Sequence, residues 1–187
     1  VTTEYDPKEE GSVPMTAPVE PRQRVLKALL LSLSLFGLVG CDHATKLAAE
    51  TQLPLAGISL IKGVLELRYA QNPDIAFSVL SRLSLHPSPR LLATLGLFAL
   101  CVITALYVRN RARINAWGHL GFVMALGGAL GNVGDRFFRG YVVDFIHVSY
   151  WPVFNVADIL VCAGMGLTLV GAYRALRESR ITERSSA

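Results

Sequence analysis

Apolar positions fall into four long runs separated by shorter mixed segments. Leu91 to Val108 holds no charged residue over 18 positions, and Ile114 to Gly134 holds none over 21. Ala28 to Cys41 is a 14-residue run ending at Asp42, and Ile159 to Tyr173 a 15-residue run following Asp158. A hydrocarbon core of about 30 Å takes roughly 20 apolar residues at about 1.5 Å each. The middle two runs meet that length alone. The outer two meet it if their helices continue through Asp42 to Lys46 and Phe154 to Asp158. The pattern therefore predicts four spans, near 25–46, 91–108, 114–134 and 154–173.

The segments between the runs have patterns of their own. Ile58 to Lys62 and Leu65 to Tyr69 alternate apolar and polar residues around Gly63, and Tyr141 to Val148 is a further β-like run, so short strands are expected. Ile75 to Leu83 has apolar residues at helical spacing with Arg82 opposite, as in a helix lying at a membrane surface. The expected fold is an all-α membrane protein, a four-transmembrane-helix bundle with a small extracytoplasmic β-cradle-like cap and a short interfacial helix. Residues 1–24 are expected to be a flexible cytoplasmic leader with Met15 a candidate start, 25–173 the membrane domain, and 174–187 a basic cytoplasmic tail.

Composition agrees with lipid as the solvent. Of 187 residues, 52% are hydrophobic and 17% charged, against about 25% charged in a soluble domain. The net charge of +4 is concentrated next to the apolar runs. Arg22, Arg24 and Lys27 precede the first, Arg109, Arg111 and Arg113 link the second and third, and Arg174, Arg177, Arg180 and Arg184 follow the fourth. With four spans these flanks share one side, which the positive-inside rule makes the cytoplasm, and both termini lie there. Basic residues distributed this way indicate topology and no nucleic-acid partner. Cys41, Cys101 and Cys162 all sit in apolar runs, an odd set that reads as small hydrophobes. The four histidines lack metal-ligand spacing, and no metal or organic cofactor is implied.

Polar groups gather at one end of the spans, in five clusters: Asp42-His-Ala-Thr-Lys46, Asn72-Pro-Asp-Ile-Ala-Phe-Ser78, Gly131-Asn-Val-Gly-Asp-Arg136, Val142-Val-Asp-Phe-Ile146 and Phe154-Asn-Val-Ala-Asp158. Ionisable groups near hydrocarbon are costly and mark functional sites by default. Asp42, Lys46, Asp135 and Arg136 each have an opposite charge close in sequence, so helix-orienting ion pairs explain them equally well. Asp144 and Asp158 have none, being flanked by Val143 and Phe145 and by Ala157 and Ile159. Two such carboxylates, if they approach, share one proton, the arrangement an aspartic protease uses to activate water and polarise a carbonyl.

The five clusters, in this order over residues 25–173, resemble the motif set of the lipoprotein signal peptidases, the type II signal peptidases of bacteria. The resemblance implies an aspartic endopeptidase of the inner membrane, its site toward the periplasmic face. Its substrates would be diacylglyceryl-modified prolipoproteins, cut N-terminal to the lipidated cysteine, with membrane lipid the other partner and the enzyme a monomer. It makes Asp144 and Asp158 the catalytic pair, with Asp42, Lys46, Asn72, Asn132, Asp135, Arg136 and Asn155 as the supporting shell. One departure stands out: Asp74 replaces the Gly usual in the family's Asn-led motif. Two rival readings exist. Leu38-Val-Gly-Cys41 resembles a lipobox, which would make the chain a lipoprotein lipidated at Cys41, but an anchor makes three further spans redundant. The other is a non-enzymatic membrane protein, such as an assembly factor or a small proton-coupled transporter; transport would need a polar path to both faces, and here the polar residues gather at one.

Overall fold

The computed structural model describes residues 21–73 and 87–185. Four long helices, α1 (Pro21–Gln52), α2 (Pro89–Asn110), α3 (Ala116–Phe138) and α4 (Val156–Ser185), carry a three-stranded sheet of β1 (Ile58–Ile61), β2 (Leu65–Asn72) and β3 (Val142–Val148). The interfacial helix expected near Ile75 to Leu83, and Asp74, lie outside the described residues. Two helices run beyond the apolar stretches. Helix α1 already begins at Pro21, inside the expected leader, and α4 runs on through the basic tail to Ser185. An apolar run marks the part of a helix suited to hydrocarbon, whereas charged helix formers continue the helix beyond it.

Two segments, Pro89–Arg113 and Val156–Ile181, are long and apolar enough to cross a membrane by length and composition, with 11% and 17% of their most apolar stretches buried within the protein. Among the described residues, α1 and α3 supply no stretch that meets that measure. Asp42 and Lys46 interrupt α1, and six glycines, His119, Asn132 and Asp135 dilute α3.

Helix α3 is the hub of the bundle, packing against α1, α2 and, most extensively, α4. Close approach to α4 requires a missing side chain: a Cβ at Gly128 would meet the Ala157 carbonyl and Leu160. Local signals fix the helix starts. Ser88 caps α2 by accepting from the Leu91 amide ahead of Pro89, and Asn115 caps α3 by accepting from Gly118.

The buried residues lie mainly at one end and are unusually polar. Asp42, Lys46, Asp135, Asp144 and Asn155 are buried there beside Ala49, Val142, Val143 and Ala157. Leu33, Phe36, Phe98 and Leu169 are instead exposed along the helices. A polar interior beneath an apolar exterior is the distribution that suits lipid.

The sheet, in order β1-β2-β3, is antiparallel throughout. Ala70 faces Asp144 and Asn72 faces Val142 across β2 and β3. Residues two apart share a face, so this register sets Asn72 diagonally beside Asp144. After β3 the chain folds back, and Phe154 closes on Ile146 through two backbone hydrogen bonds of 2.8 and 2.9 Å. That closure brings Asn155 and the start of α4 against Asp144.

Candidate active site

Asp144 and Asp158 line one cavity of about 470 Å³, with Asn72, Asn132 and Arg136 on its polar side and Trp151, Phe154 and Ile159 among its apolar walls. They are the only carboxylates among the described residues that do so. Asp144 comes from the middle of β3 and Asp158 from the first turn of α4.

Asp158 is part of a reciprocal cap. Asn155 stands immediately before α4, where its Oδ1 accepts from the Asp158 amide at 3.0 Å. Asp158 Oδ2 in turn accepts from the Asn155 amide at 3.1 Å. This is the capping-box arrangement with Asn and Asp in its two places. The cap leaves Asp158 Oδ1 to accept from Asn132 Nδ2 at 2.8 Å.

Asp144 is held by two amides. Asn72 Nδ2 donates to Oδ2 at 2.8 Å and Asn155 Nδ2 to Oδ1 at 2.6 Å. Burial pushes the Asp144 carboxyl up to about 6; the negative charge of Asp158 adds to the rise, while the Asn72 and Asn155 hydrogen bonds and the Lys46 charge oppose it. Asn155 thus touches both carboxylates, one through its side-chain amide and the other through its backbone.

Beneath the pair lies a second tier centred on Lys46, which is fully buried. Its ammonium has three donors and three acceptors: Asp42 Oδ2 at 2.7 Å, Asp135 Oδ2 at 2.8 Å and Asn132 Oδ1 at 2.9 Å. Asp42 Oδ1 accepts from the Ala157 amide at 3.0 Å, tying α1 to the start of α4. A Cβ at Gly131 would collide with the Asp42 carboxylate, so glycine there makes room on α3 for the Asp42–Lys46 pair of α1. With every Lys46 donor satisfied, Asn132 Oδ1 is fixed on the ammonium and its Nδ2 is aimed at Asp158.

All nine sequence-predicted site residues converge on this end of the bundle: Asp144, Asp158, Asn72, Asn132 and Arg136 at the cavity, Asn155 bonded to both carboxylates, and Asp42, Lys46 and Asp135 below. The pairing of charges differs from sequence order. The ion pairs of Asp135 run to Lys46 and, at 3.5 Å, to Arg139, not to adjacent Arg136. Neighbouring residues on a helix diverge, whereas residues four apart meet. Arg136 instead donates to the Asn132 carbonyl at 3.3 Å. Sequence reasoning missed Arg139, which also pairs with Glu50 at 2.7 Å and so clamps the end of α1 to the end of α3. Its four-residue spacing from Asp135 was the available signal.

Residues 34–174 match the family described as signal peptidase (SPase) II. A lipoprotein signal peptidase of Rhodococcus jostii (strain RHA1) is 36% identical over 177 residues, covering 89% of this chain and 83% of the relative. One from Syntrophomonas wolfei is 40% identical over 130 residues, covering 68% and 82%. The chain belongs to the signal peptidase II family. It is an aspartic-type peptidase. A solved bacterial membrane enzyme shares the fold of this signal peptidase, with a TM-score of 0.67 at 22% identity over 78% of this chain and 88% of that one. A second gives 0.59 at 25% identity over 75% and 90%. In this signal peptidase Asp42 and Asp135 are both committed to Lys46, which leaves the Asp144–Asp158 pair facing open space.

Proposed function

We propose that Asp144 and Asp158 are the catalytic pair of this signal peptidase, and that it removes signal peptides from diacylglyceryl-modified prolipoproteins, cutting N-terminal to the lipidated cysteine. The observation that carries the reading is the single cavity lined by both carboxylates, polar at the pair and apolar toward Trp151, Phe154 and Ile159. Such a cavity suits a substrate whose scissile amide is polar and whose flanks, an apolar signal helix and two acyl chains, are not.

Division of labour within the pair follows from the surroundings. Asp144, raised to about 6, carries the shared proton and hydrogen-bonds the scissile carbonyl oxygen. Asp158, at the N-terminus of α4 where backbone N–H groups favour negative charge, takes a proton from water. The water oxygen adds to the carbonyl carbon as the Asp144 proton passes to the carbonyl oxygen. The tetrahedral diol then collapses: the C–N bond breaks as the proton gained by Asp158 passes to the leaving nitrogen, and one diol hydroxyl returns its proton to Asp144 as the carbonyl re-forms. Asn72, Asn132 and Asn155 touch the carboxylates and orient them. Lys46, with Asp42 and Asp135, is a positioning residue acting through Asn132.

The remaining helices complete a four-span arrangement in this proposal. Helices α1 and α3 cross alongside α2 and α4, with their polar residues turned inward and both termini in the cytoplasm. The pair then faces the periplasmic side of the inner membrane, and a monomer suffices because every supporting group comes from one chain.

The test is incubation of the purified protein with a lipidated precursor and with the same precursor lacking lipid, followed by product mass. Cleavage of the lipidated form alone, leaving the modified cysteine at the new N-terminus, is expected. Equal cleavage of both forms would contradict the substrate assignment.

A further inference from the structure

At the end of the bundle opposite the carboxylate pair, α2 and α4 lean on α3 from two sides and leave a cleft between them of about 310 Å³. Its walls are apolar, formed by Tyr107 of α2, Phe122 of α3, and Ala172 and Ala175 of α4, and Arg113 stands in its lining. The deep wall is fixed in place. Tyr107 stacks on Phe122 with ring centroids 3.6 Å apart, and its hydroxyl is 2.7 Å from His119 Nδ1. Helices α3 and α4 close the floor, where Asn115 Nδ2 donates to the Gly171 carbonyl at 2.8 Å. A cavity this apolar offers water too few partners to hold it.

The rim carries the complementary charge. Arg109 stands in the last turn of α2 with Arg111 and Arg113 just after it, and Arg174 and Arg177 flank the cleft-lining Ala175 along α4; Glu178 is the one acid in the segments 109–113 and 174–180. Arg174 lies over the Trp117 ring, 5.0 Å from its centroid, which keeps that arginine at the cleft end of α4. An apolar slot with the Arg113 guanidinium in its lining and Arg174 held beside it over Trp117 matches one amphiphile, an acyl chain bearing an anionic phosphate headgroup.

We propose that this cleft is a binding site for one anionic phospholipid of the leaflet opposite the carboxylate pair, its acyl chain between Ala172 and Tyr107 and its phosphate on Arg113. The site is separate from the catalytic cavity and holds α2 and α4 in register across α3.

Native mass spectrometry of the full chain in detergent, titrated with dioleoyl phosphatidylglycerol or dioleoyl phosphatidylcholine, tests it. The wild type is expected to retain a single phosphatidylglycerol at least tenfold more tightly than phosphatidylcholine. Arg113→Gln should remove that preference. Ala172→Phe, which fills the slot and leaves every charge, should weaken phosphatidylglycerol binding tenfold or more while precursor cleavage continues. Ala175→Leu narrows the same wall and serves in its place if the larger ring prevents folding. Arg180→Gln, a turn and a half beyond the cleft, should bind as the wild type does. Undiminished preference in both cleft-filling variants would overturn the proposal. So would displacement of the lipid by excess inorganic phosphate, which would reduce the site to a headgroup contact on a charged surface.

Discussion

Asp144 is buried among amide donors with a second carboxylate nearby, and its ionisation therefore weighs on folding as well as on catalysis. A carboxyl whose pKa rises from 3.8 to about 6 on folding binds more protons folded than unfolded between those values. Its contribution to stability is then fully present below pH 3.8 and is lost as pH rises through about 6. A shift of that size corresponds to about 3 kcal/mol at neutral pH. Asp144→Asn keeps the shape without the charge, so the variant should be more stable than the wild type above pH 7 by up to about 3 kcal/mol, and no more stable at pH 4. Thermal midpoints in detergent across that range check the sign. A difference that does not change with pH would show that the Asp144 charge is not what burial opposes.

At the scale of elements, the proposed topology rests on arginines and lysines in alternate connections, which fix which ends stay in the cytoplasm. Reporter fusions after Arg111 and after Arg177 are expected to report cytoplasm, and fusions at Lys62 and Tyr150 the opposite compartment. A cytoplasmic signal at Lys62 would remove α1 as a span. The strands were legible because period-two alternation around Gly63 has one simple reading, and β1 and β2 appear where it stood, with β3 on the β-like run from Tyr141 to Val148. Asp144 and Asp158 were legible for a different reason: a carboxylate in an apolar run with no base beside it has no cheap structural explanation. The asparagines were visible only through the ordered motifs, since an amide carries no charge to betray its burial. What stayed hidden was the geometry between elements. Nothing in linear order says that Asp135 passes over Arg136 to meet Lys46 from α1, or that Arg139 reaches Glu50. The helices extend beyond the expected spans because the hydrophobic run, not the helix, is what hydropathy measures.

Over the whole molecule, polar groups are inside and at one end, apolar groups are outside and along the length. The Lys46–Asp135 ion pair joins α1 to α3, the Asp42 carboxylate joins α1 to α4, and Asn155 joins α4 to β3. The consecutive elements α3, β3 and α4 and the distant α1 are thereby locked around two carboxylates, which is the preorganisation the proposed acid pair requires. The central claim is that these two carboxylates act as one unit on lipidated precursor. Turnover of Asp144→Asn, Asp158→Asn and the double variant, each verified as folded by its thermal transition, measures this directly. The account predicts that each single substitution lowers the rate on the order of 10³-fold or more, and that the double variant is no slower than the worse single. Near-wild-type turnover in either single variant, or losses that multiply in the double, would contradict it.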